Sequence, residues 1–294
     1  MEKVYSNFFC VSAMVLWALG FPAKDVLLLT FDPIFVYALG LLLASLIALI
    51  IWIAYEGYID LKSFPTFKCL LYGGFGFGAG GCIFIYAQSL SNAVTVAIAA
   101  AFMPIFGTML EIFFDNRVLK MQYIIGLIIS IIGGIVMTFG FEDNSYYALG
   151  LLCSLPGVFL FAWGSREITK NLPNYSEIAQ GSISIIGAAF FVCVPYIIIK
   201  YDFSYISVIK AMTFEQIFYV IIFAAFGISI SQVLWIIGVS KLGIAMASIH
   251  MNSAPFYVMV FVFILGGSWV WIQFFALTLV VLGVFLTQFE RLEI

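Results

Sequence analysis

The stretch IFVYALGLLLASLIALIIWIAY, Ile34–Tyr55, runs for 22 residues without a charged side chain. A helix on the surface of a soluble domain keeps a polar stripe on its wet side; here the one short hydroxyl, Ser45, is too little for one. At ~1.5 Å per residue the stretch is ~33 Å long, enough to cross ~30 Å of hydrocarbon. Asp32-Pro33 stands before it and Glu56-Gly57 after it, so charge and turn chemistry bound the run on both sides. Strands of a membrane barrel would alternate apolar and polar positions over about ten residues, and this run does not.

Working outward, the same signature repeats. Ten stretches qualify as spans: Val4–Ala23, Ile34–Tyr55, Cys69–Ser89, Ala93–Phe114, Met121–Phe141, Tyr146–Trp163, Ser182–Ile199, Ile217–Val239, Gly243–Leu265 and Trp269–Gln288. The composition agrees. Charged residues are 9% of the 294, hydrophobic residues 64%, and the mean hydropathy is +1.16. Soluble domains carry about 25% charged residues, so lipid is the solvent. The net charge of −3 offers no basic face for nucleic acid. The five cysteines sit in or beside apolar runs with no CxxC or paired histidine, which reads as buried small hydrophobes and gives no metal site or cofactor. Lys3 followed by an apolar run to Phe21 resembles a signal peptide, but with nine spans behind it a retained first helix is the expectation.

Several separators are only a few residues long, so neighbouring helices form antiparallel hairpins. Of the twelve basic residues, nine fall on the side of the N-terminus and three (Lys24, Lys200 and Lys210) on the other. Basic loops stay cytoplasmic, so both termini are expected in the cytoplasm, in a plasma membrane of the bacterial inner-membrane type.

The two halves, 1–143 and 144–294, resemble each other. Trp17-Ala-Leu-Gly-Phe-Pro-Ala-Lys24-Asp25 lies over Phe159-Leu-Phe-Ala-Trp-Gly-Ser-Arg166-Glu167 at a shift of 142, and Pro104 and Gln122 lie over Pro255 and Gln273 at a shift of 151. Five spans per half is an odd number, so the second half enters the membrane inverted. Such repeats place a substrate site at their interface near midplane.

The chain resembles the EamA type of the drug/metabolite transporter superfamily. The likeness rests on VLWALGFPAK (15–24), on YAQSLSNAVTVAIAAAFMPIFGTMLEIFF (86–114) leading to QYIIGLIISIIGGIVM, and on WIIGVSKLGIAMASIHMNSAPFYVMVFVFILGG (235–267) leading to QFFALTLVVLGVFL. It implies an all-α protein of ten transmembrane helices in two inverted five-helix repeats, around a central cavity lined mainly by helices 1, 3, 4, 6, 8 and 9. The cargoes it implies range over amino acids, other metabolites, nucleotide sugars and drugs. This sequence departs from the family where the fourth and ninth helices often end in Gly-Glu, since it has Asp115-Asn116 and Gly266-Gly267 there.

Candidate site residues follow from polarity inside the spans. His250, the one histidine, lies inside the ninth span, and intramembrane ionisable groups usually face the interior; a buried, hydrogen-bonded imidazole is the bland alternative. At 100° per residue it shares a face with Met246, Ser253 and Tyr257, with Asn252 roughly opposite. Gln232 and Trp235 share a face of the eighth span, with Ser229 three residues earlier. Trp17 lies well inside the first span and suits a cavity wall. Tyr86 and Trp163, nearer their helix ends, suit either a cavity or an interfacial belt. Pro104 and Pro255 each remove a backbone donor in corresponding helices, a symmetric pair for gating. Glu111, a carboxylate within the fourth span, either snorkels or serves as a coupling group. The glycines at 73, 74, 76, 78, 80 and 81 suit close helix packing. Lys24–Asp25 and Arg166–Glu167 read as solvated charges at helix ends.

The leading expectation is a secondary transporter of a small organic solute, amino acid-like or otherwise neutral or zwitterionic. No GxxxxGK[ST] loop exists for nucleotide hydrolysis. A quaternary amine held by cation–π contacts is the alternative cargo. A non-transporting scaffold and an intramembrane enzyme are the competing classes; the second lacks a recognisable nucleophile motif. The expected partners are the solute and the bilayer, with a homodimer left open.

Overall fold

The computed structural model describes residues 2–57, 64–116, 118, 121–138, 144–199 and 204–288. Lys62, Arg117, Lys120, Phe141, Lys200 and Arg291, which entered the orientation and span expectations, lie outside these residues. Among the described residues all regular structure is helical. The principal helices are α1 (Glu2–Leu28), α2 (Pro33–Glu56), α3 (Thr66–Leu90), α4 (Ala93–Asp115), α5 (Met121–Thr138), α6 (Asn144–Asn171), α7 (Glu177–Ile199), α8 (Phe214–Leu242), α9 (Ile244–Ile264) and α10 (Trp271–Gln288). A short helix, Ser204–Lys210, precedes α8.

Eight of these, α1 to α4 and α6 to α9, are long and apolar enough to cross a membrane, and the chain is an integral membrane protein. In α5 and α10 the described apolar stretches are Ile124–Gly133 and Trp271–Leu286, so among the described residues the ten crossings read from the sequence are matched in eight. Outward-facing Leu46, Ile50, Ile53, Phe190 and Ile198 are all exposed, as residues that meet lipid must be.

Helix ends obey local chemistry. Asp32 Oδ1 accepts from the amides of Ile34 and Phe35 at 3.0 and 3.1 Å, with Pro33 at the first position of α2. Gly57, at φ 84°, closes the same helix through its amide to Ile53 O. Asn92 caps α4, and Thr213 with Gln216 forms a capping box on α8.

Two ends were misjudged from hydropathy. α1 runs past Ala23 to Leu28 and α6 past Trp163 to Asn171. Lys24 and Arg166 are therefore not solvated helix ends: each lies within its helix and is only 7% exposed. Hydropathy drops at a charge, but a helix continues through one whose side chain is taken up by the bundle.

Packing pairs α1 with α8 and α9, α6 with α3 and α4, α2 with α7 and α8, α3 with α7, and α5 with α10. Two crossings are backbone-close. A Cβ on Gly20 would lie 2.9 Å from Gly227 Cα where α1 meets α8, and one on Gly76 would lie 2.7 Å from Gly164 Cα where α3 meets α6. Only glycine fits such crossings.

Four helices are irregular. Cys69–Ala79 in α3 and Phe223–Ile230 in α8 wind as wide π-helix. α4 breaks at Ala101–Phe102, just before Pro104, and α9 tightens to a 3₁₀ winding over Ser248–Ser253, just before Pro255. Each proline lacks the donor that a continuous α-helix would use there. α4 is the most enclosed, with 89% of its apolar window buried against 39% for α9.

Candidate functional site

Two adjoining cavities lie inside the bundle and share Trp17, Phe84, Phe161 and Gln232. One is walled by Trp17 of α1, Phe84 of α3, Met103 of α4, Phe161 of α6, Trp235 of α8 and Met251 of α9. These are the six helices that the resemblance implied. The other, the larger of the two, adds Tyr37 of α2, Ser184 of α7, and Lys24.

The walls are aromatic. Trp17 stands edge-on to Phe21 at 4.6 Å and lies 6.1 Å from Phe84, which meets Phe161 at 5.6 Å; Phe161 in turn meets Phe77 at 5.3 Å. Polar groups are few and held. Gln232 Nε2 donates to Ser184 Oγ at 3.2 Å, whose hydroxyl donates to Gly181 O. Trp235 Nε1 donates to Ser165 Oγ at 2.9 Å. Tyr37 Oη donates at 2.8 Å to Phe77 O, a carbonyl inside the π-wound part of α3. Lys24 Nζ lies 4.0 Å from the Phe21 ring centroid and 5.6 Å from that of Phe223.

Charged and polar contacts flank this chamber at both ends. Beyond Lys24, Asp25 Oδ1 accepts from Gln88 Nε2 at 2.7 Å and Oδ2 accepts from the Ala93 amide at 3.3 Å, tying α1 to α3 and to the start of α4. At the other end Arg166 donates to Asp115 at 2.9 Å and to Glu167, stacks 4.8 Å from the Phe114 ring, and shares Asp115 with Lys170 at 2.6 Å. Glu111, buried, accepts from the Ala245 amide at 3.4 Å and so joins α4 to α9. Lys241 pairs with Glu177 at 2.8 Å, joining α8 to α7. A separate cavity of about 500 Å³ lies among Glu111, Asp115, Arg166 and Gly243.

The chamber therefore brings together Trp17, Gln232 and Trp235. His250 lies outside its lining, half-exposed, with Nδ1 3.1 Å from Ala247 O; Ser253 donates to His250 O at 2.7 Å. Tyr257 packs against Phe256. His250 and Ser253 still share a face, because residues three apart eclipse in the 3₁₀ turn Ser248–Ser253, but neither they nor Met246 and Tyr257 line the chamber. Met251 is the residue of this turn that reaches the chamber. Tyr86 is 54% exposed on the outer surface, and Trp163 is half-buried between Tyr72 and Phe75. Pro104 and Pro255 are buried at the interruptions of α4 and α9. Missed from the sequence were Lys24, dismissed as solvated, and Tyr37 and Ser184, whose helices were not expected at the cavity.

Residues 4–139 match the sequence model of the EamA-like transporter family. This part of the chain belongs to that family, within the drug/metabolite transporter superfamily. No curated protein matches the chain. A solved crystal structure of a protein is similar to this chain over 99% of each, at a TM-score of 0.68 and 14% identity. At that identity the likeness concerns the fold alone.

Proposed function

We propose that this chain is a secondary transporter that moves a small organic solute through the chamber by alternating access, built as two inverted five-helix repeats over residues 1–143 and 144–294. The observation that carries the reading is the chamber at the junction of α1, α3, α4, α6, α8 and α9. Exchanging α1–α5 with α6–α10 supports it. That exchange turns the α1–α8 pair into α6–α3, α1–α9 into α6–α4 and α2–α8 into α7–α3, and returns α2–α7 and α5–α10 to themselves. It also relates the two π-wound helices, the two interrupted helices, and the Gly20–Gly227 and Gly76–Gly164 crossings.

Two such halves can rock about a shared site and open it to each side in turn. The Asp25 contacts and the Arg166–Asp115 network, at opposite ends of the chamber, are suited to open and close alternately. The basic-residue bias puts the Arg166 end and both termini in the cytoplasm. A multiply phosphorylated cargo would want several guanidinium or ammonium clamps, and the chamber offers one lysine. A quaternary amine is disfavoured by that same ammonium. The function is transport and not catalysis.

Counterflow into liposomes loaded with a metabolite panel tests the reading. Accumulation of at least one labelled solute, abolished by Trp17→Ala with Gln232→Ala, is expected. Absence of protein-dependent flux for amino acids, organic acids, neutral metabolites and amines would contradict it.

A further inference from the structure

The chamber contains one polar group whose surroundings do not account for it. Lys24 is 7% exposed and lines the larger cavity; its ammonium lies against two ring faces and feels the charge of the adjacent Asp25 only from beyond ion-pair distance. Among the described residues no carboxylate lies within ion-pair reach of its Nζ. The adjacent Asp25 is turned away, with one oxygen on Gln88 and the other on the Ala93 amide. An ammonium taken out of water is costly unless an anion and hydrogen bonds replace its hydration. Two ring faces, one of them at 5.6 Å, offset only a small part of that cost.

We propose that Lys24 anchors the carboxylate of an organic monocarboxylate whose apolar or aromatic body fills the chamber. This rests on the transporter reading above and names the cargo of the same site. One lysine with no arginine beside it suits a single negative charge, since a phosphate dianion calls for a second cation or a bidentate fork. The body of the ligand meets Trp17, Phe84, Phe161, Met103 and Met251, which are thioethers and rings. Gln232 and Ser184 remain for one neutral polar group. The lining holds no carboxylate that could receive a substrate ammonium. The amino group of a zwitterion therefore gains nothing there and loses its hydration, so the des-amino acid is preferred over the amino acid.

The test compares 3-phenylpropionate, its amide and phenylalanine by thermal stabilisation of the purified full chain, since a ligand that binds only the folded state raises the melting midpoint. The acid is expected to bind at least about tenfold more tightly than the amide, the size of one charge-assisted hydrogen bond. Lys24→Met should erase that preference while leaving amide binding in place, and Lys24→Arg should keep it. Equal binding of acid and amide, no stabilisation by either, tighter binding of phenylalanine, or a preference that survives in folded Lys24→Met would each overturn the proposal. If Lys24→Met does not fold, the wild-type acid/amide ratio and Lys24→Arg decide it. Counterflow separates the two levels. Flux of a neutral or cationic solute with no response to the acid removes the anchor and leaves the transporter. Tight acid binding with no flux of any solute removes the transporter and leaves the anchor.

Discussion

Lys24 and Arg166 occupy corresponding places in α1 and α6, each followed by an acid and each 7% exposed, but their surroundings differ. Arg166 meets Asp115 and Glu167, stacks on Phe114, and shares Asp115 with Lys170. Lys24 meets two rings and an open cavity, while its neighbour Asp25 is bonded elsewhere. One buried cation is paired with carboxylates within ion-pair distance and the other is not. The first is a closure between helices. The second is where a ligand supplies what the fold leaves out. On the proposed repeat, similar sequence gives the same backbone position twice, and the partners around it give each copy a different task.

Substitutions can break this contrast. Arg166→Ala should have the largest effect, a loss of about 3 kcal/mol of stability, because it leaves Asp115 and Glu167 without their shared partner. Chemical denaturation in detergent reads it, and a change below about 1 kcal/mol would show that the closure contributes little. Gly20→Leu should cost about 2 kcal/mol by overpacking the α1–α8 crossing, and Gly76→Leu a similar amount at α3–α6. If only one of the two destabilises, the crossings are not equivalent and the repeat symmetry is weaker than the packing suggests. Trp235→Phe should cost about 1 kcal/mol, the worth of its bond to Ser165, with a parallel fall in solute affinity. Lys24→Met without ligand should be smallest, near zero or about 1 kcal/mol stabilising, since an uncompensated ammonium becomes an apolar chain of like length. A large loss there would mean that Lys24 is structural after all and would erase its contrast with Arg166.

Much of the fold was legible because lipid imposes a simple rule. Long uncharged runs such as Ile34–Tyr55 must be helices, and the prolines at 104 and 255 mark where α4 and α9 lose their regularity. Trp17, Gln232 and Trp235 could be placed because a polar or amphipathic side chain deep in a span has few places to go. The failures have equally physical causes. Hydropathy ends a span at its first charge, so Lys24 and Arg166 were read as solvated, although α1 and α6 continue beyond them. Helical-wheel reasoning groups His250 with its neighbours on one face but cannot say which face tertiary packing turns to the chamber, and Met251 is the residue there that reaches it. Tyr37 and Ser184 reach the chamber from α2 and α7 through tertiary packing, which leaves no mark in local periodicity. α5 and α10 are 18 residues each and pack along one another.

The central claim is that the Arg166 end and the Lys24 end open in turn around one chamber. It is tested most directly by paired distances in liposomes, with the five native cysteines replaced by alanine and spin labels placed at Val118 with Ser240 and, separately, at Leu29 with Ser89. The account predicts two distance populations for each pair, with a transported solute shifting the two pairs in opposite senses. A single fixed distance at both ends, or both ends widening together, would contradict it.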